Sequence, residues 1–391
     1  MGPLTGLKVI EMAGLGPAPF CAMMLADMGA EVLSVERPGT AARVTGDPTR
    51  DLLRRGRRSV VIDLKKDGAA ELMLKLCGTA DILIEGFRPG VMERAGLGPD
   101  VCLARNPRLI YGRMTGWGQD GPLASAAGHD INYIALAGVL NAIGEANRPP
   151  VPPLNLIGDY GGGGMLLAFG VLCAVIERQS SGRGQVVDAA MIDGAALMMT
   201  AVFGLSAMGW WRDKRGVNLL DGGAPFYRTY ETADGKYISL GALEPQFYQA
   251  LLTCLDLHEA DYAQSYDPRE WPQLGEKLAS VFRTRTRDEW CRLLEGTDVC
   301  FAPVLSYQEA PEHPQNRHRN VHITVDGAIQ PAPAPRFSRT PAETPTPPPE
   351  PGAQTDTALR DWSVEANVIA DLQASGVLPE VSTRKGGNPE K

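Results

Sequence analysis

His129, one of only five histidines, stands two residues before a segment of helical texture that includes IALAGVL, with Asp130 beside it. An imidazole near free helix N–H groups suits chemistry in which an oxyanion develops. A single histidine also serves structure, and Asp130 has the right type for an N-cap. Asp159 precedes four glycines and an apolar helix in PLNLIGDYGGGG. Glycines leave room for a ligand to approach the backbone, and the competing role for Asp159 is again an N-cap. Glu244 precedes Pro245, which favours an extended glutamate and opens a helix, so capping is its simplest role.

A second set of residues is basic. RRGRRSVVIDLKK gathers Arg54, Arg55, Arg57, Arg58, Lys65 and Lys66 within 13 residues of a chain whose net charge is −8. Arg37 and Arg88 sit just past the ends of two expected strands, where open α/β sheets bind ligands. Converging there, these cations would suit the phosphates of an anionic nucleotide. Taken singly, each reads as part of a solvated charged turn. GLGPAP matches only the first two glycines of a dinucleotide fingerprint, at Gly14 and Gly16, and Pro19 replaces the third. No G-x-S-x-G or H-E-x-x-H occurs, so neither a serine triad nor a metal site is expected.

The elements that must position these residues follow from apolar runs. LKVIEMA, AEVLSVE, SVVIDL, DILIEG and RLIYGRMT read as strands, alternating with helical segments such as PFCAMMLADMG and AAELMLKLCGTA. Continuous apolar strands between helices mean a parallel sheet covered on both faces, a Rossmann-like α/β domain. The texture changes after Arg212: FYRTYETADGKYISLGAL is a hairpin with Asp234-Gly235 at its turn, followed by helices near 247–255 and 271–282. These boundaries give a large domain over 1–210 and 330–391, a small α+β domain over 225–325, and linkers at 211–224 and 326–350. Nine prolines between 330 and 351 mark an extended connector, and a short helix is expected near 356–372.

Composition excludes several classes. A chain of 391 residues, 44% hydrophobic and 21% charged, buries a core and is not a disordered polyelectrolyte. Its acidic balance argues against general nucleic-acid binding. Seven cysteines without C-x-x-C spacing read as reduced thiols of a cytoplasmic compartment. The opening MGPLTGLKVIEM has no leader character, and the closing NPEK is no peroxisomal address. The apolar runs 165–176 and 195–211, of 12 and 17 residues, are short for a membrane span and read as buried helices.

Ordered, long motifs run along most of the chain: VERPG at 35–39, RSVVIDLK at 58–65, EGFRPGVMERAGLGP at 85–99, RLIYGRMTGWGQDGP at 108–122 and AGHDINY at 127–133. PLNLIGDYGGGGM at 153–165, GRGQVVDAAM at 182–191, LLDGGAPFYRTYETADG at 219–235 and GALEPQFY at 241–248 continue them. In these motifs the sequence resembles the racemase branch of the family III CoA-transferase (CaiB–BaiF) superfamily, from about position 5 to 340.

The resemblance implies a racemase or epimerase that interconverts (R)- and (S)-2-methylacyl-CoA thioesters through an enolate. It implies His129 and Asp159 as the two bases, with Glu244 and Asp130 flanking His129 and the Asp130 amide facing the thioester oxygen. It implies that Arg37, Val61, Ile62, Asp63, Leu64, Lys65 and Arg88 hold the CoA moiety, which makes the large domain the CoA-binding one. Gly128, Ile131, Asn132, Tyr133 and Asn155 would contact the remainder of the substrate. No metal and no cofactor beyond the CoA of the substrate are implied. The expected assembly is an interlocked homodimer in which Glu244 of one chain serves the other. The alternative is a CoA-transferase working through an Asp159 acyl intermediate; transferases of this superfamily have no histidine where this chain has His129. Met191, Met198, Met199 and Met208 could line an adaptable acyl channel, although methionines more often fill a core.

Overall fold

A computed structural model describes residues 2–39, 47–258, 260 and 264–380. The chain divides into two compact units, one of residues 1–134, 154–197 and 320–391, the other of 135–153 and 198–319. The stretches 135–153 and 198–210, expected in the large domain, therefore group with the second unit. The end of the expected large domain, 381–391, including NPEK, lies outside the described residues.

The first unit is built on six strands: β1 (Lys8–Met12), β2 (Glu31–Glu36), β3 (Arg57–Val61), β4 (Ile82–Glu85), β5 (Ile110–Thr115) and β6 (Val186–Ala190). Their order is β3-β2-β1-β4-β5-β6 and every pairing is parallel. Alternation along each strand feeds two cores. Ile10, Leu33, Val60, Leu83 and Tyr111 face the helices Ala69–Cys77, Pro99–Arg105, Thr355–Asp361 and Ala366–Ala374. Val9, Val32, Ile84 and Ile110 face Pro17–Asp27 and Leu166–Ser181 on the other side. Both faces of the central strands are thus covered, which is why their runs are mostly apolar.

The four arginines of the basic run pair with carboxylates of the fold. Arg54 pairs with Glu36 at 2.5 Å, Arg55 with Asp27 at 2.6 Å, Arg57 with Glu11 at 2.8 Å, and Arg58 with Asp361 at 2.7 Å. Burial explains this for Arg54, Arg55 and Arg57, because a desolvated guanidinium is tolerated only beside a carboxylate, whereas the Arg58 pair is partly exposed. The run therefore serves to tie β3 to β1, β2 and the 355–361 helix.

The glycine run also differs from its expected form. Residues Leu156–Met165 form a wide π-helical segment that continues into Leu166–Ser181, a single helix of 26 residues. A Cβ on Gly162, Gly163 or Gly164 would come within 2.6, 2.8 and 2.7 Å of Ala195 N, Pro17 Cβ or the Gly158 carbonyl, and the Pro17 carbonyl respectively. These glycines allow close helix packing instead of ligand approach, and they place Asp159 inside a helix, where it caps nothing. The merged helix is long and apolar enough to cross a membrane, unlike the 12-residue stretch read from sequence. Its apolarity has a local cause, because Leu167, Ala168, Val171 and Ala174 are buried against the sheet. The run expected as buried helix at 195–211 instead carries exposed Leu197, Met198, Phe203, Met208 and Trp210.

The second unit holds the expected hairpin, β7 (Tyr227–Glu231) and β8 (Tyr237–Gly241), extended antiparallel by β9 (Phe301–Val304). Phe226, Tyr230, Trp271, Phe282 and Trp290 form its core with the helices Pro245–Cys254, Trp271–Phe282 and Arg287–Leu294. A further hairpin, β10 (His322–Val325) with β11 (Ala328–Pro331), precedes the proline-rich segment, which has no regular element through 350. Two helices, Thr355–Asp361 and Ala366–Ala374, stand where one was expected.

Candidate active site

The sheet order reverses between β1 and β4, so a crevice must open where their following loops diverge. A cleft of about 330 Å³ lies there. Leu15, Gly16 and Pro17 from the loop after β1 line it, with Gly86, Phe87, Arg88 and Pro89 after β4. The end of β5 contributes Met114 to Trp117, and Met191 follows β6. Gly128, His129, Tyr133 and Asp159 complete the wall.

Helix packing brings Asp159 to this place. A Cβ on Gly16 would sit 3.2 Å from the Asp159 carboxylate, so the loop after β1 and the π-helical segment meet at that group. Asn155, one helical turn earlier, donates from Nδ2 to Asp159 Oδ2 at 3.0 Å. Asp130 Oδ2 accepts the Asp159 backbone N–H at 2.7 Å. Burial raises the Asp159 pKa above the usual carboxylate range; the Asn155 bond opposes this, the Asp130 charge adds to it, and His129 opposes it. The cleft thus holds a carboxylate with strengthened affinity for its proton, next to an exposed imidazole.

Aromatic packing shapes the wall opposite. The Tyr133 ring is wedged where a Cβ on Gly116 would lie 2.1 Å away and one on Gly128 2.8 Å away. Trp117 packs edge-on to it at 4.7 Å between centroids. Burial first, and the Asp159 charge second, push the Tyr133 phenol upward, while Arg88 opposes them.

Of the expected site residues, the cleft gathers Arg88, Gly128, His129, Tyr133 and Asp159. Asp130 does not cap its own helix, and its hydrogen bond goes to Asp159, not to the imidazole. Asn132 Oδ1 accepts the His129 backbone N–H at 3.0 Å, and Asn155 holds Asp159, so both support the cleft without lining it. Ile131 is exposed on the Asp130–Leu136 helix, away from the lining. Arg37 and Lys65 are exposed past the ends of β2 and β3. Val61 and Ile62 are buried, and the N–H groups of Ile62, Asp63 and Lys65 bond to Glu36, Val377 and the Asp63 side chain. Leu64 packs on the core. That strand end therefore offers a ligand chiefly the Lys65 ammonium. Glu244 begins the Pro245–Cys254 helix in the second unit, makes no side-chain cap, and adds to the raised pKa of Tyr266 and Cys300. Of the four methionines, only Met191 lines the cleft, joined by Met114.

Sequence reasoning missed Gly16, Gly116, Trp117 and Met114 as cleft residues, and Asn155 as the partner of Asp159. The last was accessible, since four residues separate Asn155 from Asp159, the spacing of neighbours on one helical face.

The chain matches the CoA-transferase family III over residues 4–355. It is 45% identical to the alpha-methylacyl-CoA racemase of Mus musculus, over 96% of this chain and 97% of that one. It is 42% identical to the alpha-methylacyl-CoA racemase of Homo sapiens with the same coverage. An acyl-CoA transferase of Fusarium pseudograminearum is 31% identical over 96% of this chain and 88% of its own. The crystal structure of a CAIB/BAIF family protein from Brucella suis superimposes with a TM-score of 0.80, at 26% identity, covering 92% of this chain and 99% of that one.

Proposed function

The chain belongs to the CoA-transferase family III and is an isomerase of acyl-CoA thioesters, and we propose that it inverts 2-methylacyl-CoA with His129 and Asp159 as its two bases. One observation carries the assignment of the bases: both side chains line a single cleft at the switch point of the sheet. Inversion removes the α-proton from one face and delivers a proton to the other. The C–H pair moves into a C=C bond, and charge accumulates on the thioester oxygen. One base starts ionised and the other protonated, and the two exchange states with each turnover. A carboxylate whose proton affinity is raised by burial suits this role, because it can hold the proton for part of the cycle. Asn155 and Asp130 hold Asp159 in place, and the Asp130 amide would face the enolate oxygen.

The CoA moiety would extend from Arg88 toward Arg37 and Lys65 at the ends of β2 and β3. Three strand spacings, roughly 14 Å, separate β4 from β3, a distance that the pantetheine arm would cross. Both bases are side chains of the protein, so the scheme uses no separate cofactor. The proposal includes a homodimer, with Glu244 of the second chain completing the site, and a reducing cytoplasmic compartment. The exposed apolar side chains of the 156–181 helix support the former and the unpatterned cysteines the latter. The acyl group would be apolar, against Met114, Trp117 and Met191. The deciding experiment is α-proton exchange in D₂O with a 2-methylacyl-CoA and no acceptor acid. Exchange with inversion is expected. CoA transfer that requires a free acid would replace the racemase reading with the transferase one.

A further inference from the structure

Beneath the cleft, Arg113 on β5 stands in register between Glu85 on β4 and Asp188 on β6. It is buried, with 8% of its surface exposed. Its Nε donates to Glu85 Oε1 at 2.9 Å, and its Nη1 lies 2.9 Å from Glu93 Oε1. The other oxygen of Glu85, Oε2, accepts the backbone N–H of Phe87 at 2.8 Å. Asp188 accepts from the backbone of Gln119 and lies in the field of Arg113. A charged row across three adjacent strands therefore anchors two loops. One runs through 86–89 and carries Arg88; the other runs through 116–119 and carries Gly116 and Trp117. Parts of both line the cleft, whereas Glu85, Arg113 and Asp188 do not.

The physical logic is sequential. Glu85 is 1% exposed, and burial favours its neutral form. The guanidinium favours the ionised form, which accepts at both oxygens and so can hold Arg113 and Phe87 together. Lysine could supply the charge of Arg113 but not the fork that serves two carboxylates at fixed angles.

We infer that Glu85 and Arg113 are positioning residues for thioester recognition, fixing the 86–89 loop so that Arg88 meets its anion. The inference rests on the proposed CoA-thioester substrate. An ion pair at the opposite, amino-terminal end of β4 provides a control: Arg178, buried like Arg113, lies 2.8 Å from Asp81, the residue before β4.

The test measures kcat and KM for α-deuterium exchange, together with amide exchange at Phe87, in four variants. In Glu85→Ala, KM should rise about tenfold, the scale of one lost charge-assisted hydrogen bond, with kcat nearly unchanged. The Phe87 amide should lose protection in the same variant. Glu85→Gln keeps a single acceptor oxygen, which can serve Phe87 or Arg113 but not both, so it should fall between Glu85→Ala and wild type in both properties. Arg113→Lys should raise KM, and Arg178→Lys should lower the melting temperature without moving KM. An unchanged KM in folded Glu85→Ala and Arg113→Lys would overturn the inference, as would an equal rise in Arg178→Lys. If the wild-type protein exchanges no α-proton, the functional reading falls instead. Phe87 protection still decides whether Glu85 holds the loop, and retained protection in Glu85→Ala overturns the inference in either case.

Discussion

Asp130 and Asp159 are joined through backbone and side chain: Oδ2 of Asp130 accepts the Asp159 N–H at 2.7 Å. One carboxylate thereby fixes the backbone of the other while its charge opposes ionisation of the same residue. A single contact thus helps to hold the residue in place and adds to the rise in proton affinity that burial dominates.

That coupling predicts a shift in the pH profile. Asp130→Asn can still accept the Asp159 N–H through its amide oxygen but removes the negative charge. The pKa of Asp159 should fall, and the limb of the exchange profile that it controls should move to lower pH. The profile of kcat/KM against pH for both variants checks this, and an unmoved or upward limb would count against it.

Much of the fold was legible because each strand is a short apolar run between helices, as in DILIEG and RLIYGRMT. His129 and Asp159 stood out because polar residues of those types interrupt apolar or glycine-rich context. What stayed hidden depended on contacts distant in sequence. Arg55 and Arg57 looked like ligands for an anion because nothing in RRGRRSVVIDLKK reveals that Asp27, at the end of the 17–27 helix, and Glu11, on β1, lie beside them. Glycine's poor helix propensity argued against a helix through GGGG, but packing against Pro17 and Ala195 overrides it. The fit of the Tyr133 ring against Gly116 is a shape relation between residues 17 positions apart, and no periodicity encodes it.

Burial of Asp159 also has a consequence for stability. Its folded-state pKa is raised, so its contribution is fully favourable below the unfolded carboxylate pKa of about 3.9 and is lost as pH rises through the folded value. At neutral and alkaline pH the ionised, half-buried group is a cost. Asp159→Asn keeps an acceptor for Asn155 and carries no charge. It should melt higher than wild type at about pH 8 and equally near pH 3.5, where both side chains are neutral. Thermal unfolding at the two pH values gives the comparison, and a lower melting point for the variant at pH 8 would refute the sign.

Phe169 and Ile176 are seven residues apart on the 156–181 helix and are 67% and 66% exposed. That spacing places both on one helical face, an apolar stripe directed away from the sheet. Covered by a second chain, it would bury the surface that a monomer leaves in water. Sedimentation should therefore show a dimer at low micromolar concentration, and Phe169→Glu combined with Ile176→Asp should weaken it. A wild-type monomer under the same conditions would remove the dimer from the proposal.

The two-base scheme makes its sharpest prediction when one base is deleted at a time. Each base serves one face of the α-carbon, so His129→Ala removes proton transfer on one side only. Inversion should fall by several orders of magnitude, since each general acid–base step contributes about 10²–10⁴-fold. Exchange need not disappear for both enantiomers. The one whose α-proton faces Asp159 can lose it and regain deuterium from the same side, with retention. His129→Ala should thus show exchange without inversion for one enantiomer and little for the other, and Asp159→Ala should show the mirror preference. A transferase would behave differently: Asp159→Ala would abolish CoA transfer to an acceptor acid, and His129→Ala would leave it largely intact. Deuterium incorporation measured by NMR on both purified enantiomers, beside a CoA-transfer assay, separates the two. Full inversion by His129→Ala would end the two-base assignment, because no single base lining the cleft can reach both faces of a carbon held in one orientation.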